Sequence, residues 1–232
     1  MNACPMLGPC DVTLTGIDET CDLTRLAALH RPGLEFGILL SLRYAGQNKR
    51  YPALSWITDA LMILPPRSCA LHICGGDARK AFFAHEYEKW HPFLRRVQVN
   101  GVLAVPIAEQ VHGMLQTTEL TIITQCCPGN EYLAAYLPSM RHQVLVDSSG
   151  GRGVTPEKWV HPSPNGGKHV GFAGGLGPMT LGEQLPLIRA VARPGWWVDM
   201  ENNLRDQDDN FDVDRAAAAL RIIDFVNSQE VA

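Results

Sequence analysis

Between Val144 and Arg205 the chain contains three apolar runs, each ending in residues suited to proton transfer or anion binding: VLVD-SSGGRG, HVGFAGGLG and WWVDMENN. A carboxylic acid such as Asp147, held at the end of an apolar run beside a glycine-rich loop, can keep its proton and serve as a general acid. A structural role is also open to it, as an Asx cap bonded to the backbone of Ser149 or Gly150. Gly174 and Gly175 allow backbone N–H groups to turn toward an anion such as phosphate, although Gly-Gly after a strand also makes an ordinary turn. Gly150, Gly151, Glu201 and Asn202, which complete the exits of the first and third runs, join them as candidate substrate-binding residues. A single Arg43 could fork onto a carboxylate or phosphate.

These groups need elements that deliver them to one place. Strand-like runs are predicted at Asp11–Ile17, Phe36–Leu40, Cys69–Cys74, Arg96–Val99, Leu120–Thr124, Gln143–Asp147, His169–Ala173 and Trp196–Met200. Helical character is read over Asp22–His30, Tyr51–Ile63, Ala78–Trp90, Ile107–Leu115, Asn130–Leu137, Leu181–Val191 and Phe211–Val226. Pro52 suits a first helical turn, Asp212 or Asp214 can cap the last helix, and PEKW reads as a short helix. Strands alternating with helices imply parallel pairing through right-handed crossovers, and eight such units point to one α/β domain over residues 1–232, a (β/α)8 TIM barrel. The competitor, an open doubly wound sheet, wants GxGxxG after the first strand, whereas TGIDETCD has one glycine. In a barrel, catalytic groups come from strand ends. That rule adds Thr15, Asp18 and Glu19 after the first strand, Cys74 after the third, Gln98 and Asn100 at the fourth, and Cys126 and Cys127 after the fifth.

Composition bounds the partners. The chain has 232 residues, 46% hydrophobic and 19% charged, with a net charge of -4. It therefore offers no basic field for a nucleic-acid backbone. The N-terminal residues have neither a charged region nor a long apolar stretch, and no segment reaches the roughly 18 apolar residues of a membrane span. A cytoplasmic protein without a membrane partner is expected, monomeric or homodimeric. The seven cysteines lack CxxC spacing and should be reduced thiols. No histidine pair has HExxH spacing. The acidic run from Arg205 to Asp214 places Phe211 where an EF-hand needs glycine, so no metal or other cofactor is expected.

The motifs resemble, in order, those of the phosphoribosylanthranilate isomerase family, a (β/α)8 enzyme family of tryptophan biosynthesis. VTLTG looks like its first-strand K-[VI]-C-G, SLRY its S-P-R-Y, RVQVNG its V-Q-L-H-G, and LVDSSGGRGVTPEKW its L-[LV]-D followed by G-G-x-G and F-D-W. GFAGGLGP is similar to L-A-G-G-L-x-P, and WWVDMENN stands at its D-V-S-S-G-V-E. The resemblance implies an Amadori rearrangement of a small, phosphorylated substrate. It makes Asp147 the general acid, Arg43 the anchor of the substrate carboxylate, and Gly174–Gly175 half of a phosphate cup. The chain departs from the family at the base, where the cysteine falls on Thr15, a hydroxyl too weak without an activating partner. Glu201 and Asn202 stand in the other half of the cup, where a carboxylate repels phosphate unless it turns away or meets a cation. Asn100 replaces a histidine. Asp18, Glu19, the Cys126–Cys127 pair or, most attractively, Cys74 could supply the missing base, although buried cysteines are usually inert. Two functions follow: an isomerase acting on a sugar-phosphate or anthranilate-like molecule, or a paralogue that serves as a small-molecule-binding or regulatory barrel.

Overall fold

The computed structural model describes residues 10–101, 105–126, 137, 139–162 and 168–229. Its strands are β1 (Asp11–Thr15), β2 (Leu34–Leu40), β3 (Cys69–Ile73), β4 (Leu94–Val99), β5 (Thr121–Cys126), β6 (His142–Asp147), β7 (Val170–Ala173) and β8 (Trp197–Met200). They pair in parallel in chain order and close where β8 meets β1, so the architecture is the (β/α)8 barrel expected from the sequence.

Helices lie at Leu23–Ala28, Leu54–Ile63, Gly76–Phe83, Val105–Thr117, Leu181–Arg189 and Val213–Ser228. The expected helix Asn130–Leu137 falls outside the described residues except for Leu137, as does Cys127. Asp22 and Asp212 cap their helices, each accepting from two backbone N–H groups of the first turn. None of the described helices is long and apolar enough to cross a membrane.

Three local expectations are corrected. Pro52 precedes the first turn, because the helix starts at Leu54 and the free N–H of its cap residue, Ala53, donates to Glu19 at 2.6 Å. The segment Ala78–Trp90 is broken: the helix stops at Phe83, His85 takes φ 63°, and a 3-10 turn containing Pro92 follows over Glu88–Phe93. PEKW is not helical. Its Trp159 plugs the core edge-on to Phe172 and donates to Gln184 at 2.9 Å.

Side-chain alternation with period two decides what reaches the barrel axis. Val12, Leu14, Phe36, Ile38, Val97, Val99, Val198 and Met200 belong to the large core packed under the helices. Their neighbours point inward. Low in the barrel, Arg96 forks onto Glu35 through Nε at 3.0 Å and Nη2 at 2.7 Å, and also donates to Thr13 and Gln143. Its guanidinium lies 4.3 Å from the centre of the Trp197 ring, which packs with Ile123 and Leu145. Trp197 fits because Gly171 faces it: a Cβ there would stand 2.1 Å from the indole. This plugged floor leaves the upper inward positions to form the site.

Candidate active site

The next inward residues up the strands line a small mouth cavity of about 70 Å³ that opens to solvent. Of the sequence candidates, Thr15, Gln98, Asn100 and Asp147 share this cavity. So do Gly151, Gly174, Gly175, Glu201 and Asn202. Arg43 and Cys74 do not. They border a separate groove with Ser41 and Gly75, where Arg43 is exposed and stacks 5.3 Å from the Tyr44 ring centre.

Asp199, one strand position before the expected rim, is the carboxylate that sequence reasoning missed. It lies on β8 directly beside β1, lines the cavity, and accepts a 2.6 Å hydrogen bond from the Thr15 hydroxyl. Burial pushes its carboxyl up to about 7, against the opposing pull of the Thr15 bond. Thr15 thus has a carboxylate partner, and Asp199 is able to hold or release a proton near neutrality.

Asp147 is organised differently. One oxygen accepts from the Ser149 N–H at 3.0 Å and the Ser149 hydroxyl at 2.7 Å. The other accepts from Gln125 at 2.9 Å and from the Gly151 N–H at 2.5 Å. Four donors occupy the roughly four lone-pair sites of one carboxylate. Both its cap geometry and its place in the cavity wall are therefore realised. The neighbouring N–H of Gly150 bonds the Asp147 carbonyl, so Gly150 and Gly151 serve Asp147 and the turn that follows it.

A polar chain crosses the mouth from β3 to β4. The Gln98 amide donates to Asn100 at 2.7 Å and lies 3.2 Å from Nδ1 of His72, while Asn100 donates to the Cys74 sulfur at 3.2 Å. With a donor facing Nδ1, the His72 proton sits on Nε2. Burial lowers the His72 pKa to about 4, so the imidazole is neutral. Among the described residues, His72 Nε2 and Gln98 Oε1 are buried without a partner, on side chains that line the cavity. Burial pushes the Cys74 thiol up to about 12, which makes it a poor base at neutral pH. Asp18 and Glu19 are not free bases either: Asp18 is buried against Arg205 at 2.6 Å and accepts from the Phe211 N–H, while Glu19 holds the helix start at Ala53. Cys126 is buried at the end of β5.

At the rim, Glu201 does meet a cation. Arg50 donates to Glu201 at 2.8 Å and to Asn202 at 2.6 Å, and forks onto Asp209 through Nε and Nη2. Burial raises the Glu201 pKa while Arg50 pulls it down. Asp209 also holds Arg205, so the acidic run feeds an ion-pair network. The glycine half of the expected cup is closely packed. A Cβ on Gly174 would sit 2.7 Å from the Val154 carbonyl, and one on Gly175 would sit 2.1 Å from the Thr155 hydroxyl oxygen. Asn203 donates to the Gly175 carbonyl at 2.7 Å.

The chain matches no protein-family model and no curated protein by sequence. Its fold matches solved structures. Phosphoribosylanthranilate isomerase from Thermus thermophilus aligns with a TM-score of 0.65, covering 93% of this chain and 99% of the other at 19% identity. A phosphoribosylanthranilate isomerase structure in complex with reduced 1-(O-carboxyphenylamino)-1-deoxyribulose 5-phosphate gives a TM-score of 0.65, 93% and 99% coverage, and 15% identity. The tryptophan synthase α-subunit of Pyrococcus furiosus gives 0.56, with 94% and 96% coverage at 15% identity. These likenesses define the class of molecule: a (β/α)8 barrel with the fold of phosphoribosylanthranilate isomerase. Within that class, this chain places Thr15 and Asp199 side by side at the mouth.

Proposed function

We propose that the chain is an acid/base isomerase of the aldose–ketose type, which moves a proton between adjacent carbons of a small hydroxylated substrate in the barrel mouth. One observation carries this reading: a buried carboxyl in the cavity, Asp199, poised near neutrality and fixed by Thr15. Asp199 takes the proton from the carbon next to the carbonyl-level carbon. The electrons of that C–H bond form the carbon–carbon double bond of an enediolate as the carbonyl π pair moves onto its oxygen. The proton of the substrate's adjacent hydroxyl passes to that oxygen, and Asp199 returns its own proton to the former carbonyl carbon as the other oxygen becomes the new carbonyl. Thr15 is a positioning residue, since its hydroxyl holds one oxygen of Asp199 and leaves the other for substrate. Neutral His72 presents Nε2–H to the oxygen on which charge develops, a role that neutral imidazole fills without giving up its proton. For Asp147 to supply the ring-opening proton that the family resemblance implies, one of its four donors must withdraw. The fold shared with an enzyme that binds a deoxyribulose derivative supports the same reaction class.

The occupied oxygens of Asp147 favour a second reading, a binding barrel without turnover. Solvent deuterium exchange followed by proton NMR separates the two, with phosphoribosylanthranilate and unphosphorylated amino sugars as substrates. The isomerase reading expects exchange at the carbon beside the carbonyl-level carbon, slowed about 100-fold or more in Asp199→Asn and less in Thr15→Val. Ligand binding without exchange in the wild type would establish the binding barrel. Turnover of phosphoribosylanthranilate would assign the chain to tryptophan biosynthesis, whereas exchange confined to other sugars would remove that assignment.

A further inference from the structure

The charge balance of the cavity is the opposite of what a phosphorylated ligand needs. Three carboxylate residues, Asp147, Asp199 and Glu201, line it, and among the described residues its lining holds no lysine or arginine. The cation that meets the lining carboxylate Glu201, Arg50, also donates to Asn202 and Asp209.

The unpartnered atoms say what the cavity does want. Gln98 Oε1 is an acceptor and His72 Nε2–H a donor, both buried, without a partner among the described residues, and on lining side chains. A buried polar atom left without a partner carries a desolvation penalty of about 1–3 kcal/mol that a ligand group can relieve. An ammonium group has three donors and no acceptor, so it complements Gln98 Oε1 together with Asp199 and Glu201, the oxygens of Asp147 being already filled. A hydroxyl on the adjacent carbon can accept from His72.

From this arrangement we propose that the mouth recognises a hydroxylated amine in its ammonium form, and that it rejects phosphate esters. The proposal shares with the isomerase reading the cavity and the side chains of His72 and Asp199, but it concerns binding, and it stands or falls without any turnover.

Isothermal titration calorimetry on the whole chain tests it with four probes: glucosamine, glucose, glucose 6-phosphate and inorganic phosphate. Glucosamine should bind at least about tenfold more tightly than glucose, the scale of one additional charge-assisted contact. Neither phosphate probe should bind more tightly than glucose. Glu201→Gln and Asp199→Asn, each checked for native circular dichroism, should lower the glucosamine preference, and raised salt should weaken it in the wild type. Because Glu201 lies at the rim and Asp199 is deeply buried, failure of the second variant to fold leaves the first as the test. Tighter binding of either phosphate probe, equal affinity for glucosamine and glucose, or no binding of any probe would overturn the proposal. A cavity that binds glucosamine without deuterium exchange would refute the isomerase and leave this inference intact.

Discussion

Two aspartates share one wall of the mouth in opposite circumstances. Asp147 accepts four hydrogen bonds, whereas Asp199 accepts one from Thr15 and is otherwise raised by burial. With its carboxyl at about 7 in the fold, against about 3.9 in an unfolded chain, Asp199 makes the folded state bind the extra proton between those values. Stability should therefore fall as pH rises from about 4 to 7 and then level off. Thermal melts of Asp199→Asn should show the variant gaining on the wild type across that window, and no such trend would contradict a raised carboxyl. The rate of exchange should rise with pH through the same midpoint, because the base form is the ionised one. Asp199 was legible in principle. Thr13 and Thr15, or Leu145 and Asp147, show that inward positions recur every second residue, and counting back two from Glu201 gives Asp199. Ranking strand-end residues by position alone passes over this parity, and it passes over His72 for the same reason.

At the scale of elements, the rim is drawn together by arginines from different loops. Arg50, between β2 and its helix, clamps the segment after β8, while Arg205 ties that segment back to Asp18 and the Gly16 carbonyl after β1. Replacing Arg50 with alanine should speed amide hydrogen exchange at residues 44–51 and 201–209 and leave the strands protected, since only the rim loses partners. Unchanged exchange in both segments would show the clamp to be incidental. The strands, and the helix starts at Asp22 and Asp212, were readable because apolar runs and capping residues act locally. The rim was not. Arg50 and Asp209 are 159 residues apart, and nothing in either local sequence announces the partner. PEKW misled for a similar reason: its helix-like composition yields to the burial of Trp159 against a distant core.

The whole molecule rests on a polar floor as well as an apolar shell. Glu35 and Arg96 are buried against each other, so removing only one leaves an unpaired charge in the barrel. Glu35→Ala should lower the urea-unfolding free energy by about 3–5 kcal/mol, while replacing both residues by apolar side chains of similar volume should cost far less. Equal losses in the two variants would contradict that account. Gly171→Ala should be destabilising by about 1–3 kcal/mol or more, because its methyl group would enter the Trp197 ring position.

The bond between Thr15 and Asp199 spans 184 residues and crosses the seam at which the first strand meets the last. Contacts of such long sequence separation form late, since the loop entropy they close is large. The proton-handling pair should then be absent from every partially assembled ring. In refolding experiments, tryptophan fluorescence should recover before ligand binding does, and competence should appear with the slowest phase. Chemistry in this chain would in that sense report completion of the circle.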